Sequence, residues 1–328
     1  MLNCKSEQYA VFVVPTGIGA SVGGYAGDAS LWARKLSKNI PLIVNPNVVN
    51  AACFSGINEN MLYVEGWTLE ALFRGDIGLK KIKNNKIGVI FDFAIPQEIL
   101  NVHINTINAI KTVYGIDVFD YTITKEPVGV HFFIDESGIS TGGIKNQQTL
   151  LQAGKILQQK GATAIAIVCL FDEPEEDNYE KGEGVDVVGG VEGIISHYLT
   201  SKIKIPCVHA PAFTDIEITT KLINPKACAE YITPTFLPCL FFGLENAPQI
   251  TPPSITAITV DNIKALILPA TSLGNSLVFN AVKRKIPIIA IEENTTVLDV
   301  SAKNLDIQKD VTVVKDIDEC IKLIDSLF

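Results

Sequence analysis

Three stretches of this sequence repeat one order of parts. Each has an apolar run, a glycine-bearing loop, a helix-period run, and then a basic residue leading into an Ile-Pro pair that opens a second apolar run. The pairs are Ile40-Pro41, Ile205-Pro206 and Ile286-Pro287. The second runs end in Asn45-Pro46-Asn47, His209-Ala210-Pro211 and Glu292-Glu293-Asn294. A strand, a crossover helix and a parallel strand form the unit of α/β sheets, whose ligands lie beyond the carboxyl ends of the strands. The layout therefore predicts Rossmann-like strand-helix-strand units and directs the search for a site to three turns.

The rest of the chain continues the alternation. Apolar runs at 9–14, 41–44, 87–91, 118–123, 128–134, 163–170, 206–209, 265–268 and 287–291 read as buried strands. Helical periodicity fits 28–36, 67–73, 96–113, 147–160, 191–201, 275–283 and 317–327. Together they predict an α/β fold with a mostly parallel sheet wound by helices. The runs at Val118 and Val128, separated by the Lys125-Glu126-Pro127 turn, are expected to pair as an antiparallel excursion. Prolines 248, 252 and 253 make 245–254 the best linker. Residues 1–328 are thus one α/β unit, or two lobes divided there.

Composition removes several classes of function. The longest apolar runs fall far short of the roughly 20 residues that a bilayer span needs, so no membrane partner is expected. The first residues lead directly into the run at Tyr9, which leaves no room for a targeting peptide. Seven cysteines without a CxxC pair predict a reducing compartment, hence a cytoplasmic location. A net charge of -9, with lysines scattered singly or in pairs, argues against a nucleic-acid partner.

Four places carry residues suited to chemistry. In 15–24, Gly17, Gly19, Ser21, Gly23 and Gly24 follow a strand closely enough for backbone N–H groups to cradle an anion. No Gly-Lys-Ser/Thr follows, and the next strand ends in asparagines, so neither a Walker A loop nor a dinucleotide fingerprint is present. Ser21 completes a G-x-S-x-G string but lies several residues past its strand, the wrong context for a nucleophile elbow. The competing explanation is a glycine turn that lets a helix pack closely.

Between a later strand and helix, Thr271, Ser272 and Gly274 offer hydroxyls and amides for a second anionic group. Glu292 and Glu293 at the partner strand's end are candidates for general base or metal ligand, beside Asn294 as a ligand contact. Ordinary helix capping and solvated glutamates explain the same residues. The acidic loop at 171–188 contains Asp172, Glu173, Glu175, Glu176, Asp177, Glu180, Glu183 and Asp186. Beside the following helix start, Asp186 and Glu192 are the candidate metal ligands, for a divalent ion such as Mg, and Gly189 and Gly190 the ligand contacts. His209 at its strand end is a candidate acid, or a strand-end cap. His103, His131 and His197 fall inside predicted elements. Cys169 reads as a buried free thiol more readily than as a nucleophile.

The opening Val14-Pro15-Thr16-Gly17-Ile18-Gly19-Ala20-Ser21-Val22-Gly23-Gly24 is joined by Asn45-Pro46-Asn47-Val48, Leu62-Tyr63-Val64-Glu65-Gly66, Val188-Gly189-Gly190-Val191-Glu192 and Ile291-Glu292-Glu293-Asn294-Thr295-Thr296. As a set they resemble the domain of unknown function 3326 family over most of the chain. That resemblance implies a cyanobacterial or plastid setting, with the stroma as the location if the chain is organelle-encoded. It implies no activity and no catalytic residue.

The function expected from the residues is an enzyme acting on a small phosphate- or carboxylate-bearing metabolite at the strand ends, with a homo-oligomer compatible. The alternative is a non-catalytic ligand-binding or assembly protein using the same crevice.

Overall fold

The computed structural model describes residues 7–172 and 178–328. Glu173, Glu175, Glu176 and Asp177 of the acidic loop, and the first six residues, lie outside them.

The fold is α/β, and its parallel strands form two sheets. The larger has six strands in the order Val311–Val314, Ile288–Ile291, Ile263–Pro269, Tyr9–Phe12, Leu42–Val44 and Met61–Tyr63, each pair parallel. The smaller has four, in the order Cys207–Ala212, Ala164–Leu170, Ile87–Phe91 and Val118–Ile123, again parallel. The first and third Ile-Pro units build the large sheet, and the second unit builds the small one. Near-continuous burial along Tyr9–Phe12, Ile87–Phe91 and Ala164–Leu170 explains their apolar runs, since both faces are covered.

One expected pairing is different. Val118–Ile123 joins Ile87–Phe91 in parallel, and the antiparallel hairpin is Val130–Ile134 with Ser140–Ile144. Inside that hairpin a β-carbon on Gly142 would stand 2.1 Å from the His131 carbonyl oxygen. Only side-chain-free backbone can come that close.

The chain leaves the large sheet after Met61–Tyr63, builds the small one, and returns at Ile263. The two crossings touch: Gly78–Lys80 pairs antiparallel with Gln249–Thr251 inside the stretch that sequence marks as a linker. Asn85, fully buried, fastens them. Its Nδ2 donates to the carbonyls of Leu244 and Ala247, both at 2.8 Å, and its Oδ1 accepts from the Thr163 hydroxyl and Gln249 Nε2, also at 2.8 Å. All four bonding sites of the amide are used.

One apolar cluster contains Phe12, Leu42 and Val44 of the large sheet, Val89, Phe91 and Val168 of the small sheet, and Leu240, Phe241 and Leu244 of the Leu237–Glu245 helix. The helix Gly189–Ile203 buries Val191, Ile195, Leu199 and Ile203, an i, i+4 stripe turned to the small sheet. Asn275 caps Ser276–Arg284 by accepting from the Leu277 and Val278 amides, while Lys283 and Arg284 complement the dipole at its other end. Among the described residues no helix is long and apolar enough to cross a membrane.

Candidate functional site

The carboxyl ends of strands from both sheets open on one cavity of about 1020 Å³. Pro15 and Thr16 follow Tyr9–Phe12, Asn45 and Asn47 follow Leu42–Val44, and Glu65 follows Met61–Tyr63. His209 and Pro211 come from Cys207–Ala212 in the other sheet, and Asp186, Gly189, Gly190 and Glu192 from the start of the Gly189–Ile203 helix.

Of the glycine loop's candidate residues only Gly24 lines this cavity, Gly17, Gly19, Ser21 and Gly23 lying outside its lining, and several of the loop's amides are engaged within the protein. Ser21 N–H donates to the Thr295 carbonyl and Val22 N–H to Asn294 Oδ1, while Asn294 Nδ2 donates back to the Val22 carbonyl. Gly23 and Tyr25 N–H groups donate to Asp28 Oδ1 at 2.7 and 3.4 Å, and Ala26 N–H to Glu230 Oε1 at 2.8 Å. The loop does grasp carboxylates, and they are the chain's own. Asn47 Nδ2 holds its far side through the carbonyls of Val14 and Gly23. Gly17 and Gly190 meet around Ser140: a β-carbon on Gly190 would lie 1.9 Å from the Ser140 carbonyl oxygen, and one on Gly17 2.9 Å from Ser140 Cβ. Gly19 and Gly24 are similarly close-packed, against Val297 and Val185 and against the Ala20 carbonyl.

The Thr271, Ser272 and Gly274 loop lies against the 296–300 segment. Thr271 and Thr296 hydroxyls bond at 2.8 Å, and the amides of Leu273 and Val300 donate to the carbonyls of Val300 and Thr271. These three residues do not line the cavity, whereas the next ones, Asn275, Ser276 and Leu277, do. Glu292 and Glu293 are exposed and outside its lining. Strand order accounts for this, since Ile288–Ile291 stands two strands away from Tyr9–Phe12.

The structure does bring together Asp186, Gly189, Gly190, Glu192 and His209. His209 Nδ1 is 3.3 Å from Glu192 Oε1, and its Nε2 accepts the Cys169 backbone N–H at 3.3 Å. An acceptor at Nε2 assigns the ring proton to Nδ1, facing the carboxylate. Burial of the whole side chain holds the imidazole neutral, pushing its pKa down to about 3, with Asp92 behind it acting weakly the other way. Burial raises Glu192 to about 8. Half-buried Asp186 is pushed up to about 7, by desolvation first and by its neighbour Glu192 second, although it accepts the Val188 and Gly189 amides at 3.0 Å. Burial thus moves the paired acid and imidazole in opposite directions, the acid up and the imidazole down.

Sequence reasoning passed over three residues. Glu65 caps the Gly66–Arg74 helix through Trp67 N–H, Thr68 N–H and the Thr68 hydroxyl, yet burial lifts it to about 7. Asp92, buried directly after Ile87–Phe91, accepts the amides of Ala94, Val128 and Leu170. The signal for both is an acid directly or closely following an apolar strand. His197 lines the cavity from inside the Gly189–Ile203 helix.

The cavity is rich in lining carboxylates, of which Glu70 pairs with Arg74 and Glu180 with Lys221. Eight carboxylate side chains line it, from Glu65, Glu70, Glu180, Asp186, Glu192, Asp215, Glu217 and Glu230, and no described lysine or arginine does. Among the described residues, no group of three or more His, Cys, Asp and Glu side chains is arranged to hold a metal ion. Cys169 is buried, and burial lifts its thiol far above the ordinary range.

A family model described as a protein of unknown function (DUF3326) matches residues 9–327. The chain is 36% identical over 304 residues to an uncharacterised lipoprotein of Synechococcus sp., covering 90% of this chain and 84% of that protein. No solved structure matches.

Proposed function

The chain belongs to that family of unknown function, and we propose that it is an enzyme that moves a proton on a small molecule held in the cavity between its two sheets. The observation carrying this reading is the Glu192–His209 contact at 3.3 Å on the wall of a metabolite-sized cavity. Glu192, with about 24% of its side chain exposed, takes the role of acid or base at the ligand. His209 orients it and shares the proton, and Asp186 keeps the local charge responsive to a ligand. This reading gives no catalytic role to Glu292 and Glu293, which are outside the cavity lining.

An anionic metabolite, the ligand class expected from sequence, is supported by the helix starts at Gly66, Gly189 and Ser276, which open on the cavity. It is opposed by the eight carboxylates there. The test is solvent-deuterium incorporation, followed by NMR, into a panel of small hydroxy, keto and amino compounds incubated with the protein. Exchange that falls by about 10²-fold or more in Glu192→Gln supports the reading. Exchange indifferent to Glu192→Gln and His209→Asn removes it.

A second reading, an assembly protein, is favoured by Phe93, Tyr121 and Ile123, exposed on or beside the edge strand Val118–Ile123. Native mass spectrometry of the purified chain decides whether copies associate. We place the protein in the cytoplasm or the plastid stroma. The lipoprotein description of the Synechococcus relative sets a membrane surface as the rival location, and fractionation of the native host separates the two.

A further inference from the structure

Between the strand Cys207–Ala212 and the helix Leu237–Glu245 the chain runs from residue 213 to 236 with one short helix, Cys228–Tyr231, as its regular structure. Connections this long are uncommon inside a compact domain, and where they occur they often serve as lids or ligand loops. The two ends of this one meet. The Phe213 ring packs edge-on against Phe236 at 6.5 Å and against Phe171 at 6.2 Å, and Phe171 packs in turn on His209 at 5.3 Å. The stretch therefore leaves the small sheet and returns to it at one anchored point, as surface loops that act as a unit do.

Between those ends the packing is shallow. Of residues 214–234 Ala227 alone is buried, and Ile218 and Leu222 are exposed. The apolar cluster of the stretch, Ile223, Ala227 and Tyr231 against Tyr25 and Tyr179, is separate from the cores of both sheets. Its other links to the body include polar contacts near the surface. Lys226 Nζ donates to the Ser21 carbonyl at 2.7 Å and Asn224 Nδ2 to the Lys181 carbonyl at 2.9 Å, while Lys221 stands 3.8 Å from Glu180. Glu230 Oε1 makes the central link, accepting the Ala26 N–H of the glycine loop at 2.8 Å and the Tyr179 hydroxyl at 3.0 Å. Exposed contacts of this kind are individually weak, and they open without unfolding a core.

The same stretch walls the cavity, with Phe213, Ile216, Glu230, Tyr231 and Pro234 in its lining. We propose that 213–236 is a hinged flap, pinned at Phe213 and Phe236 and latched through Glu230 to Ala26 and Tyr179, whose opening admits a ligand to the cavity. The flap governs access whichever chemistry the cavity performs, so it stands apart from the role given to Glu192.

The test reads access directly and needs no ligand. Cys239 lines the cavity, whereas Cys320 is buried in the Ile317–Leu327 helix outside that lining. Burial pushes both thiols up to about 12, so a difference in their alkylation reports access rather than acidity. The full chain, carrying Cys228→Ser to remove the flap's own thiol, is labelled with iodoacetamide and each cysteine is followed by peptide mass spectrometry. Glu230→Ala should speed labelling of Cys239 by about tenfold and leave Cys320 unchanged. Tyr179→Phe, which deletes one hydroxyl and keeps the ring, should act in the same direction by a smaller factor, and it carries the comparison alone if Glu230→Ala fails to fold. Unchanged labelling of Cys239 would overturn the proposal. Equal acceleration at Cys239 and Cys320 would overturn it too, because it marks loosening of the whole fold.

Discussion

His209 bridges two strands and a helix through its two ring nitrogens: Nε2 takes the Cys169 amide of the neighbouring strand, and Nδ1 faces Glu192 Oε1 on the helix. The backbone thereby sets the tautomer. A neutral imidazole locked this way presents a donor to Glu192 and stays in place while the carboxyl gains or loses its proton. In the proposed function this separates the proton-carrying group, Glu192, from the group that positions it, His209.

Glu192 should make stability depend on pH in one direction. Its folded pKa, about 8, lies above the ordinary 4.5, so the folded state holds the proton more tightly than the unfolded one. Stability is then highest below about 4.5 for this group, declines as pH rises toward about 8, and levels off above. Asp28, Asp186 and Glu65, raised to about 6, 7 and 7, act with the same sign. His209 opposes them only below its ordinary 6.5, where the unfolded chain binds a proton that the folded chain refuses. Gln mimics the protonated acid. In urea titrations Glu192→Gln should therefore gain on wild type by on the order of 2 kcal/mol between about pH 5 and pH 8.5. A constant difference between the two curves would show that Glu192 ionises normally in the fold.

Asn294 should control the glycine loop. It is 1% exposed, and its amide pairs with both the N–H and the carbonyl of Val22. Asn294→Ala strands both groups at a cost of about 1–3 kcal/mol, and amide exchange at Val22 should accelerate ahead of the surrounding strands. Asn294→Asp keeps the acceptor but loses the donor to the Val22 carbonyl, so it should protect Val22 N–H better than alanine does. Equal exchange in wild type and Asn294→Ala would mean that the loop is held elsewhere.

The α/β class was legible because each buried strand leaves an apolar run and each crossover helix a 3.6-residue period. The division into two sheets was not. All three Ile-Pro units carry the same local signal, and which sheet a strand joins is settled by crossings near residues 80 and 250 whose contacts are distant in sequence. The same limit applies to the site. That His209, Asp186 and Glu192 would stand together at a strand end and a helix start was legible, since chain geometry places such positions at the sheet's carboxyl edge. Glu292 shares that signature, but strand order, which is a tertiary property, carries it away from the cavity. Glu65 was hidden because an acid before a helix reads as a cap, which it is; its burial has no local signature.

Two glycines in one helix should respond in opposite ways to alanine. Gly190 meets the Ser140 carbonyl oxygen at 1.9 Å from its built β-carbon, a backbone atom that cannot swing aside. Gly190→Ala should cost about 3 kcal/mol or more and pull the Ser140–Ile144 strand from the helix. Gly193, in the same helix, meets only Thr16 Cγ2 at 3.2 Å, the end of a side chain. There the helical preference for alanine, roughly 1 kcal/mol, offsets the contact, so Gly193→Ala should be neutral or slightly stabilising. Thermal unfolding of both variants side by side is sufficient, and equal losses would disprove the packing argument at Gly190.

Asn85 should matter more to the union of the sheets than to either one. Its four hydrogen bonds tie the Leu237–Glu245 helix end, the returning crossing and the start of the Ala164–Leu170 strand to the outgoing crossing. In Asn85→Ala, two carbonyls, a hydroxyl and a side-chain amide each lose the bond to this fully buried side chain, while Leu244 and Gln249 keep a second partner. The expected loss is about 3 kcal/mol or more, larger than for an exposed asparagine, where the change is within about 0.5 kcal/mol. Asn85→Asp refines the test. It keeps the acceptor for Thr163 and Gln249 but sets a carboxylate against the Leu244 and Ala247 carbonyls, so it should be at least as damaging as alanine and recover as pH falls and the acid is protonated. Urea unfolding read by tryptophan fluorescence, with Trp32 and Trp67 both in the part of the chain that builds the large sheet, and by far-ultraviolet circular dichroism for the whole chain, would show whether the sheets then part. Separated transitions in Asn85→Ala and a single one in wild type are expected; coincident transitions with unchanged stability would remove Asn85 from this role.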